Sequence, residues 1–366
     1  MGELKEYKCP ACGGAVRFDS HTQKMKCPYC DTEFDVETIK EYDEQLEKDK
    51  EKEDDFSGWQ TNAGSQWQEG EKDTICVYTC QSCGGEIIAD ENTGASVCPF
   101  CGNPVIIKDR FEGGLKPDCV VPFKLDKKQA KSAYYQYIKG KPLLPRVFKN
   151  ENHIDSIKGI YVPFWLFDGD VDADIRYRAT RVRVWSDSQY DYTQTSYYSL
   201  ERRGNMSFSA VPVDGSEKMA DDLMESIEPF HMEEAVDFET AYLSGYLADK
   251  YDVDEKQSEQ RARTRMKVSA EEVLGNTVVG YASSVPESSC IHVTGGMAQY
   301  ALYPVWILNT TWKGKSYLFA MNGQTGKMTG NLPVDNGLYA RWLLGLTGIF
   351  SAISFLILFL CSLAGI

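Results

Sequence analysis

Eight of the twelve cysteines stand in four Cys-x2-Cys pairs, and the pairs group two by two. Cys9, Cys12, Cys27 and Cys30 form one set, and Cys80, Cys83, Cys98 and Cys101 form the other, with fourteen residues between the pairs in each. Four thiolates carried on two tight knuckles make a closed tetrahedral site of the structural zinc kind, so two structural Zn2+ ions are expected. Each site is complete with four protein ligands. No position is left for an activated water, which argues against Lewis-acid catalysis there. The flanking residues repeat too: "CPACGGAVRFD…KCPYCDTEF" (9–34) aligns with "CQSCGGEIIAD…VCPFCGNPV" (80–105). Gly13-Gly14 and Gly84-Gly85 follow the first pairs, where a missing Cβ lets backbone N–H groups turn towards sulfur.

A disulfide framework would call for a secretory leader, and "MGELKEYKCP" has no apolar stretch to serve as one. A redox Cys-x2-Cys stands singly on a βαβ unit, not in matched tandem sets. A ribbon this small cannot hold itself by its core, so metal should supply on the order of 10–16 kcal/mol of apparent folding energy. Cys76, Cys119 and Cys290 lack a partner in the pattern and read as ordinary thiols.

Other residues point to chemistry less well. Asp168, Asp170, Asp172 and Asp174 alternate like a calcium loop, but Ala173 and Ala179 stand where an EF-hand needs Gly and Glu. They are expected to share one strand face and to oppose Arg176, Arg178, Arg181 and Arg183 of a following strand in a charge ladder. The alternative for the arginines is a phosphate or lipid head group. "NGQTGKMTG" (322–330) has two residues between its glycines and Met328 after Lys327, so it is no phosphate loop. His21, His153, His231 and His292 belong to no recognisable triad. No catalytic residue is assigned, and no cofactor other than zinc and no small-molecule substrate is expected. An enzyme would return to consideration if a cleft gathered His231 or His292 with carboxylates.

The elements that carry these residues read as follows. Trp342–Ile366 contains no charge, and as helix it reaches about 37 Å, enough for a hydrocarbon core of about 30 Å. Tyr339 and Trp342 beside Arg341 suit the inner interface. Reduced cysteines and no leader in front of the span imply a tail-anchored, single-pass protein of the cell membrane, its N-terminal bulk cytoplasmic. Residues 35–55 hold eleven Asp or Glu against four Lys, a sum of −7, and read as a solvated spacer with a fraying helix on Ile39, Tyr42 and Leu46.

The middle reads as an α+β body with a diverged internal repeat. Asp126 and Gln129 have capping-box spacing before a helix face of Ala130, Ala133, Tyr134, Tyr137 and Ile138. Asp254 and Gln257 repeat that start before a face of Ala262, Met266, Ala270, Val273 and Leu274. Aromatic strands with an early proline follow each helix, Pro163-x-Trp165 matching Pro304-x-Trp306. The fold class is thus α+β, with two small four-cysteine zinc ribbons (rubredoxin-like) and a C-terminal transmembrane helix. The expected layout is one ribbon over 1–35, an acidic linker over 36–74 and the second ribbon over 75–108. An α+β cytoplasmic domain then covers 109–335, its halves at about 117–213 and 246–333, and the anchor covers 338–366.

The ribbons, together with "VVPFKLDKKQAKSAYYQYIKG", "IDSIKGIYVPFWLFDGD", "FETAYLSGYLADKYDV" and "YPVWILNTTWKGKSYLFAMNGQTGK", carry a resemblance over nearly the whole chain. It resembles bacterial, largely Firmicute, TFIIB-type zinc-ribbon membrane proteins, often loosely labelled replication-restart helicase-like. "YLFAMNGQTGKMTG" is also similar to the last strands of PepSY-like modules. The resemblance implies a non-enzymatic membrane protein, some relatives being encoded beside phage-shock-type envelope-stress proteins. The helicase label has no motor to support it here.

Two functions stay open at this point. One is a membrane-anchored adaptor that serves protein partners (membrane or stress-scaffold proteins) through its ribbons. The other is nucleic-acid binding, as TFIIB-type ribbons do. Charge favours the first. The chain carries 39 Lys+Arg against 54 Asp+Glu, a net −15. Ribbon one balances Lys5, Lys8, Arg17, Lys24 and Lys26 against Glu3, Glu6, Asp19, Asp31 and Glu33, while ribbon two shows Glu86, Asp90 and Glu91 with no base until Lys108. Neither makes the basic stripe that nucleic acid requires.

Overall fold

The computed structural model describes residues 7–50, 56–60, 63–68, 70–71, 75–90, 97–103, 106–110 and 114–364. Of the stretches read above, residues 1–6, residues 51–55 of the acidic run, residues 91–96 and 104–105 of the second cysteine stretch and the last two residues of the apolar tail lie outside the described residues. The fold is mixed α+β, as the patterning implies. The chain forms two compact units, each assembled from three separate stretches. Met1–Thr61, Phe167–Val211 and Glu259–Ala298 make one; Asn62–Leu166, Pro212–Ser258 and Gln299–Ile366 make the other.

In the first unit, strands Arg17–Asp19, Lys24–Lys26 and Glu33–Phe34 pair antiparallel around the first cysteine set. The acidic run becomes the 15-residue helix Val36–Lys50. Its Ile39 is buried among Cys9, Val16, Met25 and Cys27, so this helix closes the core beside the first cysteine set and is more than a spacer.

A second departure concerns the aspartates. The residues expected to form two strands make one, Lys158–Ser186, whose hairpin partner is Asp191–Asp214. Asp168 to Asp174 and Arg176 to Arg183 therefore lie end to end on one strand, and no ladder forms between them. Their partners come from the facing strand instead. Ser209 and Ser207 donate to Asp168 and Asp170, and Arg203 meets Asp174 at 3.2 Å. Helix Glu255–Asn276 buries Ala262, Met266, Ala270 and Leu274 at fourfold spacing, whereas Val273 turns outward.

In the second unit, helix Lys127–Ile138 starts with the expected capping box: Gln129 N–H donates to the Asp126 carboxylate, and Asp126 N–H to the Gln129 side chain, each at 2.8 Å. Asp254 and Gln257 make the same reciprocal pair. Ala130, Tyr134 and Ile138 pack on Phe148, Trp306, Phe319 and Met321. Truncating the fully buried Phe148 to Ala should cost about 3–5 kcal/mol, read as a lowered denaturation midpoint for this unit. The second-unit end of strand Ser283–Trp312 pairs antiparallel, from Val305 on, with Lys315–Asn322 across Lys313-Gly314, both at positive φ as a type I′ hairpin turn requires. The strands around the second cysteine set, Ile75–Cys80, Glu86–Asp90 and Ile106–Arg110, join this sheet where Glu86–Asp90 pairs with Leu247–Asp249.

Asp249 on that short strand is fully buried, accepts the Ser216 hydroxyl, and is pushed by burial up to about 8. An unfolded Asp titrates near ~3.9, so the folded chain holds this proton more tightly. Its stabilising contribution is complete below that value and is lost as pH rises through 8. Melts followed by near-ultraviolet dichroism should fall in temperature from about pH 5 to about pH 9, and Asp249→Asn should flatten that slope. Equal slopes would mean that the carboxyl ionises without cost.

The chain's last element is helix Asn336–Ala364, started by Asp335, whose carboxylate accepts Gly337 N–H at 2.8 Å. Its window Asn336–Ile357 has a mean hydropathy of 1.6 and buries nothing against the protein.

Candidate metal centres

Each Cys-x2-Cys pair sits on the same turn. The first cysteine's N–H donates to the carbonyl five residues on, and the N–H four residues on donates back to that cysteine's carbonyl. In the first set the bonds are Cys9 to Gly14 at 2.7 Å, Gly13 to Cys9 at 2.8 Å, Cys27 to Thr32 at 3.0 Å and Asp31 to Cys27 at 2.9 Å. Cys80 with Gly85 and Gly84, and Cys98 with Asn103 and Gly102, repeat them. The fourth residue on is left-handed in all four turns: Gly13 at +76°, Asp31 at +57°, Gly84 at +72° and Gly102 at +73°. Glycine adopts that region freely, and Asp is among the few side chains that tolerate it.

The second glycine of each pair has a further task. A Cβ on Gly14 would stand 2.6 Å from the Tyr29 ring, and one on Gly85 would stand 2.9 Å from the Phe100 ring. These positions admit the aromatic side chain of the opposite knuckle. Both glycines of each pair also serve the knuckle as the sequence implies: the Gly14 N–H donates to Cys12 and the Gly85 N–H to Cys83.

Within each set the four Sγ atoms lie within 4.8 Å of one another. Cys9–Cys30 is 3.7 Å, Cys12–Cys27 3.5 Å, and Cys80–Cys101 and Cys83–Cys98 are both 3.7 Å. A tetrahedron of thiolates about 2.3 Å from a metal has edges of about 3.8 Å, whereas a disulfide brings sulfurs to ~2.05 Å. The donor spacing fits a metal ion, and all eight cysteines of the two sets are free thiols. Two four-cysteine groups able to hold metal are thus present, on the eight cysteines singled out by spacing.

The thiols are uneven. Burial pushes Cys9 up to about 12 and Cys98 higher still. At Cys30 burial is outweighed by the Thr32 hydroxyl and N–H, which bring it down to about 7. At Cys80 burial is outweighed by the N–H groups of Cys83 and Ser82, also to about 7. Cys30 and Cys80 are thus readier to ionise than Cys9 and Cys98, from which a bound cation would displace the proton.

Sequence reasoning missed the groups that hold the knuckles in place. Arg178 Nη1 donates to the carbonyls of Pro10 at 3.2 Å and Ala11 at 3.0 Å, between the ligands Cys9 and Cys12. Within the second unit, Lys158 Nζ donates to Val97 at 2.5 Å, and the Asn309 amide donates to Phe100. No periodicity singles out these donors, because they act across more than 60 positions of chain. Among the histidines, His231 stands 3.4 Å from Glu233 in the second unit, and His292 Nε2 stands 3.7 Å from Cys290 Sγ in the first.

Together these features define a mixed α+β protein with two four-cysteine groups able to hold metal and one long apolar C-terminal helix. No family model matches the chain, and no solved structure matches it. It is 34% identical over 342 residues to YdjG, an uncharacterized protein of Bacillus subtilis (strain 168), covering 93% of this chain and 94% of that one. The chain belongs to the family of that protein.

Proposed function

We propose that the protein is a non-enzymatic, zinc-holding adaptor anchored at the cytoplasmic face of a membrane. The observation that carries this reading is the pairing of two closed four-cysteine groups with a terminal helix whose apolar surface is left outside the protein. Four thiolates fill a tetrahedral metal, so each ion would hold shape rather than bind substrate. In this reading both ions are zinc, held on rubredoxin-like ribbons of the TFIIB-type zinc-ribbon membrane family. The matching capping boxes at Asp126 and Asp254 support a diverged internal repeat as the rigid body. The partners are membrane or stress-scaffold proteins.

The test is affinity purification from native membranes in mild detergent, with the eluate assayed for protein and nucleic acid. Stoichiometric protein partners that vanish when the ligand cysteines are replaced would support the adaptor. Nucleic acid released by moderate salt, with no protein partner, would overturn it in favour of a nucleic-acid reader.

A further inference from the structure

A cavity of about 260 Å3 opens inside the first unit. One wall comes from the first ribbon and its helix, with Phe34, Glu41 and Tyr42; the other comes from the long strands, with Tyr197, Tyr198 and Glu287. Arg178 is the cation of the lining, and its charge is already engaged. Its Nη1 serves the Pro10 and Ala11 carbonyls, and its Nε lies 3.6 Å from Glu287. Glu287 also accepts the Tyr42 hydroxyl at 3.0 Å, and burial together with that carboxylate pushes the phenol up to about 12, keeping it a donor. Arg178 is set against Glu287 and the buried Arg176 behind the wall donates to Gln45 at 3.3 Å, so among the described residues Glu41 is the lining carboxylate with no ion pair.

We propose that this cavity binds a basic side chain, the guanidinium or ammonium group of an Arg- or Lys-rich partner segment. Four aromatic residues, Phe34, Tyr42, Tyr197 and Tyr198, line the cavity, where ring faces attract a cation, and Glu41 offers the countercharge. Cation-on-ring packing is already in use here: the Arg181 guanidinium stands 5.2 Å from the centre of the Tyr198 ring. An anionic ligand would meet two carboxylates and a guanidinium that is already occupied. Metal enters through the wall itself. Pro10 lies between Cys9 and Cys12, and Arg178 grips that knuckle, so a ribbon without its ion would lose one side of the cavity. This goes beyond the adaptor reading, and its test requires neither a membrane nor a cellular partner.

The test uses the full-length, zinc-loaded protein in detergent and a fluorescein-labelled hexa-arginine peptide, read by anisotropy. About 0.15 M salt shortens the range of diffuse attraction to about 8 Å. Saturable binding is expected, weakened about tenfold by Glu41→Gln and by Tyr198→Ala, and removed by chelation. Glu44→Gln, on the same helix and outside the lining, should leave it unchanged. Equal loss from Glu44→Gln and Glu41→Gln would reduce the effect to diffuse acidity and overturn the proposal, as would binding of hexa-glutamate in place of hexa-arginine. Should a variant lose its near-ultraviolet spectrum, the native chain alone decides. Peptide should slow amide exchange at residues 41–45 and 197–199, and protection only elsewhere would overturn the assignment. Failure here would leave the membrane and partner assays above untouched.

Discussion

Cys98→Ser is expected to lower the metal content from two ions per chain to one and to unfold the second ribbon. Cys98 is almost wholly buried, its thiol surrounded by Cys83, Cys101 and the Phe100 backbone, and a serine hydroxyl in that place is a poor ligand for a thiolate-seeking cation. The energy at stake is on the order of 10–16 kcal/mol, more than a ribbon of this size can recover from its core. Damage should spread, because strand Glu86–Asp90 of the ribbon pairs with Leu247–Asp249 in the unit's sheet. Elemental analysis of purified protein gives the count, and limited proteolysis gives the unfolded stretch. Cys76→Ser is the control: that residue lies on the neighbouring strand outside both clusters and should leave two ions in place. Retention of both ions by Cys98→Ser would show that these thiols are not ligands.

Deleting residues 336–366 should move the protein from the membrane fraction to the soluble one. As helix, 29 residues run about 43 Å, longer than a hydrocarbon core of about 30 Å. Leu344, Ile349, Phe350, Ile353, Phe355 and Leu356 all stand exposed, an apolar surface that water would penalise and lipid would accept. The subtler test is Ile353→Arg, a charge near the helix middle that costs about 2.5–3.5 kcal/mol at a bilayer centre. That should convert a carbonate-resistant protein into one partly extracted at alkaline pH. Full extraction of the native chain would instead mean that the helix is covered by protein.

The two four-cysteine groups were legible in the sequence because each is built from two local turns. Each knuckle needs only its own residues, so spacing, the first glycine of Gly-Gly and the left-handed position are written within five positions. The same holds for the capping boxes at Asp126 and Asp254 and for the apolar tail, whose property is length without charge. Even here part of the meaning was hidden. Gly14 and Gly85 are small because Tyr29 and Phe100 arrive from the opposite knuckle, beyond the reach of any local turn.

What the tertiary structure decided depends on pairing at long range. The acidic helix closes a core only because Ile39 meets Cys9 and Cys27, and nothing in its charge pattern says so. The aspartates of 168–174 were matched with the wrong partners because alternation reveals a strand's face and not where the strand ends. Once Lys158–Ser186 is one continuous strand, the arginines follow the aspartates along it, and Ser207, Ser209 and Arg203 of the facing strand become the neighbours. Arg178 shows the same limit, being one arginine of a run until the fold sets it against the carbonyls of a knuckle about 167 positions away. Local rules act within a turn, while contacts across a sheet depend on register, and register is settled by packing the whole unit at once.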